Sequence, residues 1–386
     1  MASPAAAAEG TTPSARDADF ETIGQQHDPI ARAILRYRPR IFWRAALIWL
    51  AITLIVDIPV GAQLGLLTTT GQRVGLLDDL AGVLQEFVVF PLLIAYYLWA
   101  PSALLRAIKA LDLEGVLTVR KADVAWLERW LGSRLTWLMA VGAVGFGFIL
   151  YFAYTLSPLS STLWLANPQF AVAKLPFWIL QSWAAISLIL SMVVLTGFLG
   201  RIFGADRKIG VEPLHPDGCG GLRPLSTFAL KLTAFIGLAG ATLLLVERNY
   251  ILSRGLGGTG FAIPVHVMAL AFGFGGIVFF FAPLMAPHRR MEAAKVEALH
   301  RLSDRFHTVE YRTLSQLATL KSDGFAAAAR DLESMRKIYD LIDSFPVWPF
   351  DVRIFRYFAV AVIGQPLLAL GWDIFGDQIK HFFGAG

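Results

Sequence analysis

Long apolar segments recur along the chain, separated by shorter polar ones. A helix needs roughly 20 mostly apolar residues to cross a bilayer, because every backbone amide must bond within the segment. Six segments meet this length, and they cover 45–64, 82–100, 135–156, 177–198, 229–246 and 262–285. A seventh, 357–372, is shorter and fits a tilted span, a re-entrant hairpin or a buried surface helix. The pattern predicts an all-α polytopic membrane protein with about seven transmembrane helices, six of them firm.

Composition agrees with this prediction. The chain is 56% hydrophobic and only 16% charged, whereas soluble domains usually carry about 25% charged residues. A single cysteine, Cys219, excludes an internal disulfide and any metal site built from several cysteines of one chain. The sequence therefore indicates no cofactor and no metal.

The basic residues lie mostly on one side of the predicted spans. All but five of the 34 lysines and arginines fall on the side of the N-terminus. The five exceptions are Arg73, Lys174, Arg248, Arg254 and Lys380. Short loops rich in Lys and Arg stay in the cytoplasm. We therefore predict a multi-pass protein of the plasma (inner) membrane with a cytoplasmic N-terminus, and the basic character indicates no nucleic-acid partner.

The domain organisation follows from these spans. Residues 1–40 read as a disordered, basic cytoplasmic tail, and 41–287 as a six-helix transmembrane domain. This domain includes an interfacial helix at 120–135 and a cytoplasmic loop at 201–228. The segment 288–352 has apolar residues at three- and four-residue steps, which predicts an amphipathic helical pair broken at Ser322-Asp323-Gly324. The last span and a short tail occupy 353–386.

Two acidic residues lie at membrane depth, where a charge is costly and often functional. Asp57 is in the outer part of the first span, and Glu86 is just inside the outer end of the second. Asp78 and Asp79 lie in the loop between them, with Arg73 as its one basic residue. Acids facing a water-filled vestibule would concentrate cations. The alternative is that Asp57 pairs with a nearby hydroxyl or arginine and only marks a helix end.

The last predicted span is interrupted by Gly364-Gln365-Pro366. Irregular backbone at membrane depth persists only where it is buried in protein or lines a cavity. This predicts that Tyr357, Gly364 and Gln365 line a pore, and a simple proline kink is the alternative.

The most distinctive polar sequence lies in the loop between the fourth and fifth spans. It contains His215, Asp217, Gly218, Gly220, Gly221 and Arg223. Glycine N–H groups with an arginine nearby form nests that bind anions, which makes a small anionic cytoplasmic ligand a candidate partner. The alternative is a tight turn in which Asp217 caps the next helix.

No hydrolase, zinc-protease or Walker motif is present, so the sequence does not favour an enzyme. Three functions remain in order of preference. The first is a homo-oligomeric channel or pore gated from the cytoplasm and favouring cations, with the lipid bilayer and copies of itself as partners. The second is a secondary transporter of a small solute that uses Asp57 and Gln365. The third is a membrane-embedded enzyme or scaffold that uses the His215–Arg223 loop.

Overall fold

The computed structural model describes residues 28–35, 41–131, 133–156, 162–204, 207, 209–210, 215, 217, 219–246, 262–316, 322–350 and 352–362. Within these ranges the regular structure is helical. The helices are α1 (Pro29–Leu35), α2 (Ile41–Gln63), α3 (Leu80–Leu113), α4 (Lys121–Trp130), α5 (Ser133–Thr155), α6 (Pro168–Ile202), α7 (Arg223–Val246), α8 (Ala262–Gln316), α9 (Ser322–Asp343) and α10 (352–362).

Six of these helices are long and apolar enough to cross a membrane, namely α2, α3, α5, α6, α7 and α8. The predicted all-α polytopic membrane protein is confirmed. The segment 357–372 begins within α10, but 363–386 lies outside the described residues. The seventh span, and the side of the membrane on which the N-terminus lies, therefore stay predictions.

Helices α3 and α6 form the centre of the bundle. They pack against each other, with α2 beside α3, α5 beside α6, and α7 and α8 together on the other flank. One apolar core joins α3, α6, α7 and α8, and a smaller one joins α2, α3, α5 and α6. The outward faces of α2 and α5 leave large apolar side chains exposed, such as Ile55 and Ile149, as expected of surfaces that face lipid.

The two ends of the bundle differ in charge. We call the end at which Arg44, Arg106 and Arg201 lie the basic end. The opposite end, formed by the loop 64–79 between α2 and α3, is called the acidic end. The charge pattern predicts that the basic end is cytoplasmic.

Helix α8 is much longer than a membrane span. Its 55 residues extend about 80 Å at 1.5 Å per residue, against a hydrocarbon core of about 30 Å. It packs along α9, so the predicted cytoplasmic pair is a hairpin whose first helix continues the sixth span. The sequence predicts a break between the two helices at Ser322-Asp323-Gly324; in the structure α8 ends at Gln316, α9 begins at Ser322, and 317–321 lie outside the described residues. Ser and Asp suit the first turn of a helix, where they accept from free N–H groups.

Candidate functional site

Three charged side chains meet inside the bundle near the acidic end. Lys174 of α6 places its Nζ 3.0 Å from Oδ2 of Asp57 on α2 and 2.7 Å from Oε2 of Glu86 on α3. The same ammonium lies 5.0 Å from the centre of the Phe177 ring. We call Asp57, Lys174 and Glu86 the charged triad.

The charged triad is excluded from solvent. The side chains of Lys174 and Asp57 are fully buried, and that of Glu86 is 2% exposed. Two carboxylates and one ammonium give a formal charge of −1 when all three are ionised. Charges inside a membrane protein are expensive and usually functional, so this excess charge favours the binding of a proton or another cation.

Local structure brings the three residues together. Asn167 caps α6 by accepting from the N–H groups of Gln169 and Phe170, and a proline occupies the first turn. The helix therefore begins well before Lys174. Glu86 lies on a π-helical turn, Gln85–Val89, within α3. Such turns are rare and occur frequently at functional sites.

The apolar pattern does not predict Lys174 as a site residue, because the predicted fourth span begins at 177 and leaves Lys174 in the outer loop. The Asn167-Pro168 start signal would have revealed the longer helix. With that start, Lys174 and Gln181 are seven residues apart and share one helix face. The open vestibule predicted for Asp57 and Glu86 is corrected by the structure, because both carboxylates are buried against Lys174.

The other two acids at the acidic end also have partners. Asp79 caps α3 by accepting from Gly82 N–H and also accepts from Trp164 Nε1 at 2.9 Å. Asp78 accepts two hydrogen bonds from Thr69, and they hold the pKa of Asp78 below its usual range. An apolar cap, made of Leu66, Leu76, Trp164 and Phe170, packs at this end. It contacts Ile58 and Phe87, the neighbours of Asp57 and Glu86, so the charged triad is closed towards the acidic end.

Buried polar side chains continue from the charged triad towards the basic end. They lie on α2, α3 and α6 and at the start of α1, and we call them, with the triad, the polar line. Beyond the triad, its members are Thr53, Gln181, Trp49, Trp183, Tyr97, Asp28 and Ser191. At 1.5 Å per residue, Lys174 and Ser191 are about 25 Å apart along α6, which is most of the hydrocarbon thickness.

Three polar atoms of the polar line are buried without a hydrogen-bond partner among the described residues. They are Trp49 Nε1, Gln181 Nε2 and Tyr97 Oη. Trp49 packs on Phe177, one turn from Gln181, with ring centroids 5.6 Å apart. Buried polar groups are normally satisfied, and exceptions call for an explanation such as a bound water or ion. Trp49 Nε1 and Gln181 Nε2 are hydrogen-bond donors, so a water molecule that accepts from them would satisfy them.

A second ionic cluster lies at the basic end. The Asp123 carboxylate of α4 is fully buried and binds Arg207 Nη2 at 2.8 Å and Arg201 Nε at 2.9 Å. It also accepts from the N–H of Arg120 at the start of α4. Burial alone would raise the pKa of Asp123, but these hydrogen bonds and charges outweigh it and hold the pKa below its usual range. The cluster joins α4 to the end of α6.

In the loop 215–223 backbone N–H groups bind a carboxylate of the same loop, that of Asp217. Asp217 Oδ1 accepts from the N–H groups of Cys219 at 2.8 Å and Gly221 at 3.0 Å, and Oδ2 accepts from Arg223 N–H. Burial would raise the pKa of Asp217, but these N–H groups and His215 hold it below its usual range. Gly221 N–H, one of the glycine N–H groups predicted to bind an external anion, therefore donates to Asp217 instead. Asp217 also accepts from the N–H of Arg223, the first residue of α7, as the alternative interpretation expected.

Gly220 and Gly221 have the backbone conformation that such a turn requires. Their φ angles are +65° and +85°, in the region that favours glycine. Gly218 lies outside the described residues. A regulatory role of this loop stays a prediction.

We expect Asp217→Ala to destabilise the protein by about 1–2 kcal/mol, the usual cost of losing a side-chain cap. Arg223→Ala is expected to change stability by less than about 0.5 kcal/mol, because Arg223 contributes its backbone N–H and its side chain is exposed. Denaturant titration of the purified protein in mild detergent measures both. Equal losses in the two variants would contradict this account of the loop.

The remaining predicted site residues lie at the end of the described chain. Tyr357 is on α10 and is 57% exposed. Gly364 and Gln365 lie outside the described residues, so a pore lined by this segment stays a prediction. The structure thus brings Asp57 and Glu86 together with Lys174, and it places Tyr357 on an outward face.

Comparison of the chain with protein families, curated proteins and solved structures finds no match.

Proposed function

We propose that the protein transports protons or a monovalent cation across the bilayer along the polar line. The observation that carries this proposal is the charged triad, with two carboxylates and one ammonium buried among membrane-spanning helices. A purely structural contact between spans would be served as well by apolar packing. Replacing buried ion pairs with apolar residues is often neutral or stabilising.

In this proposal Lys174 is the resident counter-ion of the site. A proton or cation that reaches Asp57 or Glu86 takes over the neutralisation that Lys174 provides. The ammonium then moves away from that carboxylate, and it returns when the transported species leaves. No covalent bond other than that of the transferred proton changes.

Burial at both ends favours a transporter over an open pore. The apolar cap covers the charged triad, and α1 covers the opposite end of the polar line, where Ala31 packs among Ala45, Trp49 and Tyr97. A path closed at both ends needs conformational steps on the μs to ms scale to open each side in turn. The second of the predicted functions, a secondary transporter, fits this geometry best. The residue that acts together with Asp57 is then Lys174 and not Gln365.

The homo-oligomeric channel remains a second candidate because of the α8–α9 hairpin. Its helices leave apolar side chains exposed, among them Val296, Phe306, Tyr311, Ile338, Tyr339 and Leu341. Exposed apolar faces on a helical pair are typical of association with further helices. The mass of the purified protein in detergent separates the two candidates, because a monomer that retains transport contradicts a shared axis.

We expect Asp57→Asn to lower cation or proton flux into proteoliposomes by at least about tenfold, because the site loses a charge that attracts the cation. Asp78→Asn is the matched control, since Asp78 lies at the same end of the bundle but outside the charged triad. It should retain flux within about twofold of the unmodified protein. Equal flux through Asp57→Asn and the unmodified protein would contradict the proposal.

A further inference from the structure

A small cavity lies at the basic end of the polar line. Its volume is about 10 Å³, which is room for a single water-sized body. Four oxygen-bearing side chains from four parts of the chain line it, namely Asp28, Tyr97, Thr136 and Ser191. The rest of the described lining is apolar or small, and no described lysine or arginine contributes to it.

The Asp28 carboxylate in this cavity is held by neutral groups. It accepts from the N–H groups of Ile30 at 3.0 Å and Ala31 at 3.1 Å, and from Trp183 Nε1 at 3.3 Å. Asp28 is 8% exposed, so its negative charge lies within the bundle. These three N–H groups offset part of the cost of burying the carboxylate, and a cation bound beside it would lower the rest.

Tyr97 lines the same cavity as Asp28. Its side chain is 4% exposed and faces Asp28 and Trp183, but its hydroxyl makes no hydrogen bond of normal geometry to a described residue. The unsatisfied hydroxyl and the carboxylate thus flank one small cavity.

We propose that this cavity binds one monovalent alkali cation, ligated by the Asp28 carboxylate and the hydroxyl oxygens of Tyr97, Thr136 and Ser191. Hydroxyl and carboxylate oxygens replace the hydration shell of such a cation, as carbonyl oxygens do in selective channels. A water molecule fits the same volume but adds no positive charge beside the Asp28 carboxylate. A divalent cation needs six or more oxygens, commonly with several carboxylates, and the cavity supplies one carboxylate.

The cavity can bind an alkali cation whether or not the protein transports one. The idea that a transported cation stops here, at the basic end of the polar line, rests on the proposed function. A cation bound beside Asp28 would hold the start of α1 against α3 and α6. Its release would free α1 and open the polar line towards the basic end.

The test is thermal unfolding of the purified full-length protein in detergent, in NaCl, KCl or LiCl against choline chloride at equal ionic strength. We expect at least one alkali cation to raise Tm in a saturable manner, since a ligand that binds only the folded state stabilises it by mass action. Asp28→Asn should abolish this rise, and the exposed control Asp78→Asn should retain it. No alkali-specific rise in the unmodified protein, or an equal rise in Asp28→Asn, would overturn the site.

Tyr97→Phe keeps the test decisive if Asp28→Asn folds poorly, because it removes one proposed ligand and leaves the hydrogen bonds of Asp28 to α1 intact. We expect it to shift the midpoint of the cation titration to about tenfold higher concentration, the effect of about 1.4 kcal/mol of lost binding. An unchanged midpoint would overturn the ligation. The flux assay distinguishes the two proposals: stabilisation without flux contradicts only the transport function, and flux without stabilisation contradicts only this site.

Discussion

Lys174→Met is expected to destabilise the protein by about 3–5 kcal/mol, the usual cost of removing one partner from a buried ion pair. The substitution leaves Asp57 and Glu86 facing each other without the ammonium that both now contact. Lys337→Met is the matched control, because Lys337 pairs with Glu333 on an exposed face of α9. An exposed pair of this kind contributes about 0.5 kcal/mol or less. Denaturant titration in mild detergent compares the two variants.

The charge-neutral variant Asp57→Asn, Glu86→Gln and Lys174→Met should recover most of this loss. It removes both carboxylates together with the lysine, so no uncompensated charge remains in the core. If the neutral variant is as unstable as Lys174→Met alone, the loss comes from packing and not from charge. That result would contradict the electrostatic account of the charged triad.

Asp123→Ala is expected to destabilise the protein by about 3 kcal/mol, because it leaves Arg207 buried at the basic end without its carboxylate. Arg207 has a side chain that is 9% exposed, whereas Arg201 is 43% exposed and contributes less. The same change at Glu128, an exposed acid on α4, should alter stability by less than about 0.5 kcal/mol.

The stability lost in Asp123→Ala should depend on pH, because the pKa of Asp123 is lowered in the folded protein. A carboxyl group whose pKa is lower when folded stabilises the protein above its unfolded pKa of about 3.9. The contribution is lost as pH falls through the lower, folded value. The stability difference between the unmodified protein and Asp123→Ala should therefore stay constant from pH 7 to about pH 5 and shrink as pH falls further. A difference that fades between pH 7 and pH 5 would contradict the lowered pKa.

The sequence predicts the fold class well because membrane spans depend on a simple, long pattern. Six apolar segments became six helices of sufficient length, and only their ends differed. The start of α6 shows why the ends matter. Apolarity placed the start of that span at 177, but the capping residue Asn167 starts the helix at Pro168 and so brings Lys174 into the core.

Side-chain partners are harder to predict than spans because they depend on which helices become neighbours. The sequence identified Asp57 and Glu86 as unusual, but their shared partner is 117 and 88 residues away along the chain, respectively. In the loop 215–223, by contrast, the contacting residues are close together in the sequence. Its alternative interpretation, a turn in which Asp217 caps the following helix, needed only local spacing, and the structure has that geometry.

In the proposed mechanism the transported cation passes between α2, α3 and α6 of one chain, and this path can be tested by blocking the flux with Ag⁺. Ag⁺ reacts with a cysteine thiol and is small enough to follow a monovalent cation. In a Cys219→Ser background, Gln181→Cys places a thiol at a buried position of the polar line, whereas Leu180→Cys places one on an outward, apolar face of α6. We expect Ag⁺ to block flux through Gln181→Cys and to leave Leu180→Cys active. Block at Leu180→Cys alone, or unblocked flux in both variants, would contradict it.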